Sequence, residues 1–193
     1  MAKTILITGS TDGIGLETAK SFVSQGHQVL LHGRNPQKLE AAENSLSTLS
    51  REGTVKSYIA DLSRMADVEL LAQAVAENHA QLDVLINNAG VLKTSKTVTS
   101  DGLDVRFAVN AIAPYLLTQR LIPLIPTSGR VVNVSSAAQS PVNLDALIGK
   151  IRLSEDFTAY AQSKLALTMW SRSLALSHQD HTPVIIAVNP GSM

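Results

Sequence analysis

The chain has 193 residues, 45% hydrophobic and 17% charged, enough to bury a sizeable core as one unit over 1–193. Sixteen Lys and Arg balance sixteen Asp and Glu, so the positive excess that drives nucleic-acid binding is missing. Cysteine is absent and the five histidines form no HxxxH or HExxH pair, which excludes disulfides and a Cys nucleophile and leaves no expected metal site. No apolar run approaches the roughly 20 residues that span a bilayer. The run after Met1-Ala2-Lys3 is too short for a signal-peptide core. The expectation is a cytoplasmic protein without a membrane span.

Short β-type runs alternate with helical patterns along the chain. Thr4–Thr8, Gln28–His32, Val55–Ala60, Val84–Ile86, Val131–Val134 and Val184–Val188 are near-continuously apolar, as strands covered on both faces should be. Between them, Leu39, Ala42, Leu46 and Leu49 share one helical face behind Pro36, and Val68, Leu71, Ala72 and Val75 share another. Gly26 sits where a helix should stop. The pattern predicts a doubly wound α/β fold with a parallel sheet between helical layers. Residues 137–158 break the rhythm and read as an insertion over the carboxyl edge of the sheet. The last strand runs into Asn189-Pro190-Gly191-Ser192-Met193 with no helix after it, and further C-terminal residues are expected.

Thr8-Gly9-Ser10-Thr11-Asp12-Gly13-Ile14-Gly15 links the first strand to a helix. Its glycines are spaced G-x-x-x-G-x-G. Such a turn lets backbone N–H groups at a helix N-terminus approach a pyrophosphate; the alternative is a turn that merely packs helix on strand. The second strand ends His32-Gly33-Arg34. An acid there would bind the ribose 2′-OH of NAD, whereas an Arg accommodates the 2′-phosphate of NADP. Arg34 points to NADP, and Asp12, which adds no positive charge to the turn, leaves room for NAD.

Tyr160-Ala161-Gln162-Ser163-Lys164 lies on a predicted helix, with Tyr160 and Lys164 on one face. A tyrosine in water, pKa about 10, is a poor acid–base catalyst near neutrality. A nearby ammonium favours the phenolate, so a Tyr–Lys pair can exchange a proton with an alcohol or carbonyl oxygen. Taken alone, such a pair is more often surface decoration. Its companions change the weighting. Asn87-Asn88-Ala89-Gly90 follows the fourth strand, Asn110 sits mid-chain, and Ser135-Ser136 ends the fifth strand. These positions lie near the carboxyl ends of strands, where open α/β sheets bind ligands.

With TGxxxGxG, NNAG, Asn, Ser and YxxxK in this order, the chain resembles the short-chain dehydrogenase/reductase family over nearly its whole length. The resemblance implies a Rossmann-type sheet in the order 3-2-1-4-5-6, with the family's seventh strand and substrate lid absent. It implies that Gly9, Gly13, Ile14 and Gly15 form the cofactor turn and that Arg34 meets the 2′-phosphate. Asp61 would hold the adenine amino group. Asn87, Ala89 and Gly90 would line the adenosine ribose region and support the sheet. Tyr160 would be the general acid or base, and Lys164 would tune it while binding the nicotinamide ribose. Ser136, as the second serine of its pair, would hydrogen-bond the substrate oxygen. Asn110 would hold a relay water, and Pro190 and Gly191 would flank the nicotinamide.

The 24-residue step from Ser136 to Tyr160 exceeds the family's usual gap. Together with Val142–Leu147 and Ala159–Ala166 it resembles the retinol-dehydrogenase-like branch, which includes protochlorophyllide reductases. The expectation is NADP-dependent exchange of a carbonyl and an alcohol on an apolar substrate. A homodimer or homotetramer through helices near Ala113–Ile125 and Thr158–Ser177 is implied as well. Two alternatives stand beside it: a nucleotide-binding redox sensor or scaffold with little catalysis, and a sugar-nucleotide epimerase or dehydratase on the same fold. Trp170 and Met169 are expected to pack in the core or at a subunit interface. His79, His178 and His181 are expected to be solvated, and Lys93 and Lys96 to lie in a rim loop.

Overall fold

A computed structural model describes residues 1–49, 52–177 and 183–191. The strands are β1 (Thr4–Ile7), β2 (Gln28–Gly33), β3 (Thr54–Ile59), β4 (Val84–Asn87), β5 (Arg130–Val134) and β6 (Val184–Val188). They form one parallel sheet in the order β3-β2-β1-β4-β5-β6. The helices are α1 (Gly13–Ser24), α2 (Pro36–Ser47), α3 (Met65–Asn78), α4 (Val105–Phe107), α5 (Ala113–Leu121), α6 (Leu144–Leu147) and α7 (Asp156–Ser177). A π-helical turn, Ala108–Ile112, joins α4 to α5.

Alternation along the strands builds two cores. Ile5 and Ile7 of β1 pack with Val29, Leu31 and Ile86 against Ala19 and Val23 of α1 and Leu39, Ala42 and Leu46 of α2. Leu6 faces the other way, with Leu30, Leu85 and Val131, against α3, α5 and Leu174 of α7. Burial on both faces explains why the central strands carry no polar alternation.

The outer strands depart from that expectation. Ile59 of β3 is 62% exposed, and Val184 and Ile186 of β6 are 48% and 40% exposed, because a sheet margin has less helix above it. Leu49, assigned to the α2 stripe, lies beyond the helix and is exposed. Local signals set the other ends. The Asn35 side chain accepts from Lys38 N–H at 2.9 Å ahead of Pro36, and Gly26, at φ +81°, takes the left-handed position that ends α1. The 137–158 segment carries the short α6, started by Asn143, whose side chain accepts from Ala146 N–H. No helix among the described residues is long and apolar enough to cross a membrane.

Candidate active site

Because every strand is parallel, the loops after all six emerge at one edge. Chain direction across the sheet reverses between β1 and β4, which opens a crevice there. A cavity of about 460 Å³ fills it, lined by the turn after β1, the ends of β2 and β3, and Asn88 to Val91 after β4. A second cavity of about 310 Å³ adjoins it, sharing Ile14, Asn88 and Gly90. Ser136, Tyr160, Lys164 and Asn189–Gly191 line the second.

The glycine turn is held by contacts that exclude side chains. Gly9 has φ +65°, and a Cβ there would meet Ala89 Cα at 2.9 Å. A Cβ on Gly15 would meet Gly9 O at 2.3 Å. Thr8 Oγ1 accepts from the N–H groups of Asn88 and Ala89. Asn88 Nδ2 donates to the carbonyls of Thr8 and Gly9, at 3.0 Å each. Asp12 accepts from Gly13 N–H as the N-cap of α1. Ile14, in the first turn of that helix, lines both cavities, and its N–H finds no acceptor among the described residues.

Arg34 is exposed at the margin of the first cavity and forms no ion pair among the described residues. Asp61 is half-buried in the same wall, its Oδ1 accepting from Ser63 N–H. His32 also lines this cavity although 3% exposed. In the sequence His32 is the last residue of an apolar strand run, and nothing local marks it for the cavity wall.

In the second cavity Lys164 is 4% exposed, and its Nζ donates to Val134 O at 2.7 Å. That Nζ lies 5.7 Å from the Tyr160 ring centroid. Burial lowers the ammonium to about 8. Tyr160 lines this cavity with Ser136, and its hydroxyl has no protein partner among the described residues. Ser135, by contrast, is buried, its hydroxyl at 2.7 Å from Thr168 Oγ1 and 3.2 Å from Lys164 O. Both serines line the cavity, and the hydroxyl of the first is engaged with α7.

Two expected residues have committed side chains. Asn87 lines neither cavity. It is buried between sheet and helices, with Nδ2 donating to Thr118 Oγ1 and Asn133 Oδ1. Strand alternation puts it on the same face as Leu85, toward α5 and α7; Asn88, the first residue past the strand, takes the cavity position. Asn110 has its side chain committed: Nδ2 donates to Val91 O and Ser163 Oγ, and Oδ1 accepts from Val91 N–H. Its main-chain carbonyl receives no i+4 bond, because Pro114 has no N–H.

Other expectations resolve briefly. Lys93 and Lys96 are exposed beside Leu92, which lines the second cavity. Trp170 is half-buried and Met169 exposed. His79 is half-buried rather than solvated, 2.8 Å from the Tyr58 hydroxyl. His178 and His181 lie outside the described residues. Residues 137–158 do not line the second cavity; Val142, Leu144 and Leu147 instead cover an apolar hollow beside Tyr115, Met169 and Trp170. No group of three potential metal-binding side chains occurs among the described residues.

The sequence matches the short chain dehydrogenase family over residues 3–193. Human retinol dehydrogenase 12 is 35% identical, with 98% of this chain and 61% of that protein aligned. Human retinol dehydrogenase 13 is 31% identical, with 98% and 58% aligned. The chain thus spans about three fifths of the length of these relatives. A metagenomic short-chain oxidoreductase solved in complex with NADP superposes with a TM-score of 0.80 at 31% identity, over 99% of this chain and 83% of that one. The NADP complex of Pseudomonas aeruginosa RhlG gives 0.80 at 28% identity, over 100% and 74%. The strand order, the adjoining cavities and these likenesses agree: the chain belongs to the short-chain dehydrogenase family.

Proposed function

We propose that this chain binds a nicotinamide dinucleotide, preferring the 2′-phosphorylated form, and interconverts a carbonyl and an alcohol. The observation that carries the reading is the meeting of Ser136, Tyr160 and Lys164 in a cavity that opens into the glycine-turn cavity. The residues present fit the cofactor. Gly9 and Gly15 leave the backbone bare, and among the described residues Ile14 N–H has no acceptor and Arg34 no ion-pair partner, which leaves both for phosphate oxygens. Asp61 would hold the adenine amino group, Ala89 and Gly90 would border the ribose, and Pro190 and Gly191 would flank the nicotinamide. When bound, the nicotinamide supplies or accepts the hydride.

The protein's own part is orientation and a proton. Ser136 donates a hydrogen bond to the substrate oxygen, and Tyr160 gives that oxygen its proton in reduction or takes it in oxidation. The Lys164 ammonium stabilises the negative charge left on the tyrosine oxygen. The Asn110 carbonyl, which receives no bond from Pro114, would hold a relay water, its amide being engaged elsewhere. Leu92 and Val134 in the lining suit an apolar substrate. Exposed Tyr115 of α5 and Met169 of α7 support association of copies through those helices.

Titration with NADPH and NADH, read by fluorescence, tests the reading. Tight NADPH-selective binding is expected. Arg34→Ala should weaken NADPH by roughly tenfold or more, as for a lost charge-assisted hydrogen bond, and leave NADH nearly unchanged. Equal losses for the two would remove the 2′-phosphate role.

A further inference from the structure

We propose that His32 is a positioning residue for the dinucleotide: it clasps the glycine turn to the end of β3 and sets the span between the phosphate and adenine places of the cleft. The proposal rests on reading that cleft as the dinucleotide site. The ring lies beneath the first cavity, 3% exposed. Nδ1 accepts from Gly9 N–H at 3.1 Å. The proton of the neutral ring is therefore on Nε2, which donates to Ala60 O at 3.2 Å, one residue before Asp61.

The main chain of His32 is pinned to the same turn. His32 N–H donates to Ser10 Oγ at 2.9 Å, and Ser10 N–H donates to His32 O at 3.0 Å. One residue thus ties β1, β2 and β3 together where their carboxyl ends form the cavity wall, two residues before Arg34. Burial lowers the imidazole to about 4, against a weaker opposing pull from Ala60 O and Asp61. The ring is neutral near pH 7, as an acceptor toward Gly9 must be. Because Gly9 N–H is committed to His32, it is not free for a phosphate, and that task passes to Ile14 N–H. An apolar side chain of similar bulk would fill the space but strand Gly9 N–H and Ala60 O without partners.

The test compares the full wild-type chain with His32→Leu and His32→Asn. The Asn side chain keeps an acceptor near the Nδ1 position, whereas Leu keeps neither bond. NADPH and NADH affinities, steady-state constants and melting temperatures are measured for each. Leu should raise Kd and the cofactor KM for both dinucleotides by roughly tenfold, with kcat within about twofold of wild type. Asn should recover most of that loss. Wild-type affinity in the Leu variant overturns the clasp alone, as does a fall in kcat at constant KM. Losses in Asn and Leu that merely track their melting temperatures overturn it too. If wild type binds neither dinucleotide, the cofactor reading fails and this role with it. Should the Leu variant not fold, long-range ¹H–¹⁵N spectra of the wild type decide: a proton on Nε2 is expected, and one on Nδ1 overturns the clasp.

Discussion

Tyr160 offers a hydroxyl without a protein partner to the same cavity as Ser136, and Lys164 stands behind it. Tyr160→Phe removes one oxygen and little volume, so turnover should fall to background while NADPH affinity stays within about twofold. Parallel turnover and fluorescence titration check this, and a matching loss of binding would contradict the proton-donor role. Lys164 sets a pH limit. Its ammonium, lowered to about 8 by burial, is present below that value and lost above it. In the reduction direction, kcat/KM should therefore decline as pH rises through about 8, as a pH–rate profile would show. His32 acts on stability from the acid side. Its folded value of about 4 lies below the ordinary 6.5, so the unfolded chain binds the proton first. The stabilisation is complete above 6.5 and is lost as pH falls toward 4, a change on the order of 3 kcal/mol. Urea unfolding at both ends of that window should show a smaller acid loss in His32→Leu than in wild type.

At the scale of elements, α7 is anchored where it begins. Arg106 of α4 is 1% exposed and grips Asp104 with Nε and Nη2, at 2.8 and 2.6 Å. Its remaining arm reaches Asp156, the first residue of α7 and four before Tyr160. Arg106→Leu would leave Asp104 as an uncompensated buried charge, and a loss of roughly 3–5 kcal/mol is expected in urea unfolding. A loss below about 1 kcal/mol would mean that the pair is solvated in solution. The elements differ in how plainly the chain announces them. β1, β2 and β4 are apolar runs bounded by turn residues, and α2 has Asn35 and Pro36 at its start, so their positions are readable from local chemistry. The split of Asn87 from Asn88 was readable too, from the alternation of β4. The grip of His32 on Gly9 and Ala60 was not, since it joins residues that only the fold brings together. The route of 137–158 likewise depends on packing beside Tyr115 and Trp170 rather than on any periodic pattern.

At the scale of the whole molecule, the order β3-β2-β1-β4-β5-β6 puts the N-terminal strand in the middle. β1 pairs with nearby β2, Thr4 against Gln28, and with distant β4, Ile5 against Val84. The first cavity draws all its lining from residues up to Val109, whereas the second needs Ser136, Tyr160, Lys164 and Asn189–Gly191. Synthesis runs from the N-terminus, and short loops close at less entropic cost than long ones. On the ribosome, the strands that wall the first cavity can therefore find one another while α7 is still unmade. A nascent chain comes to the proposed nucleotide grip before Tyr160 and Lys164, its proposed proton-moving pair, are made, so recognition precedes reactivity in the life of each molecule.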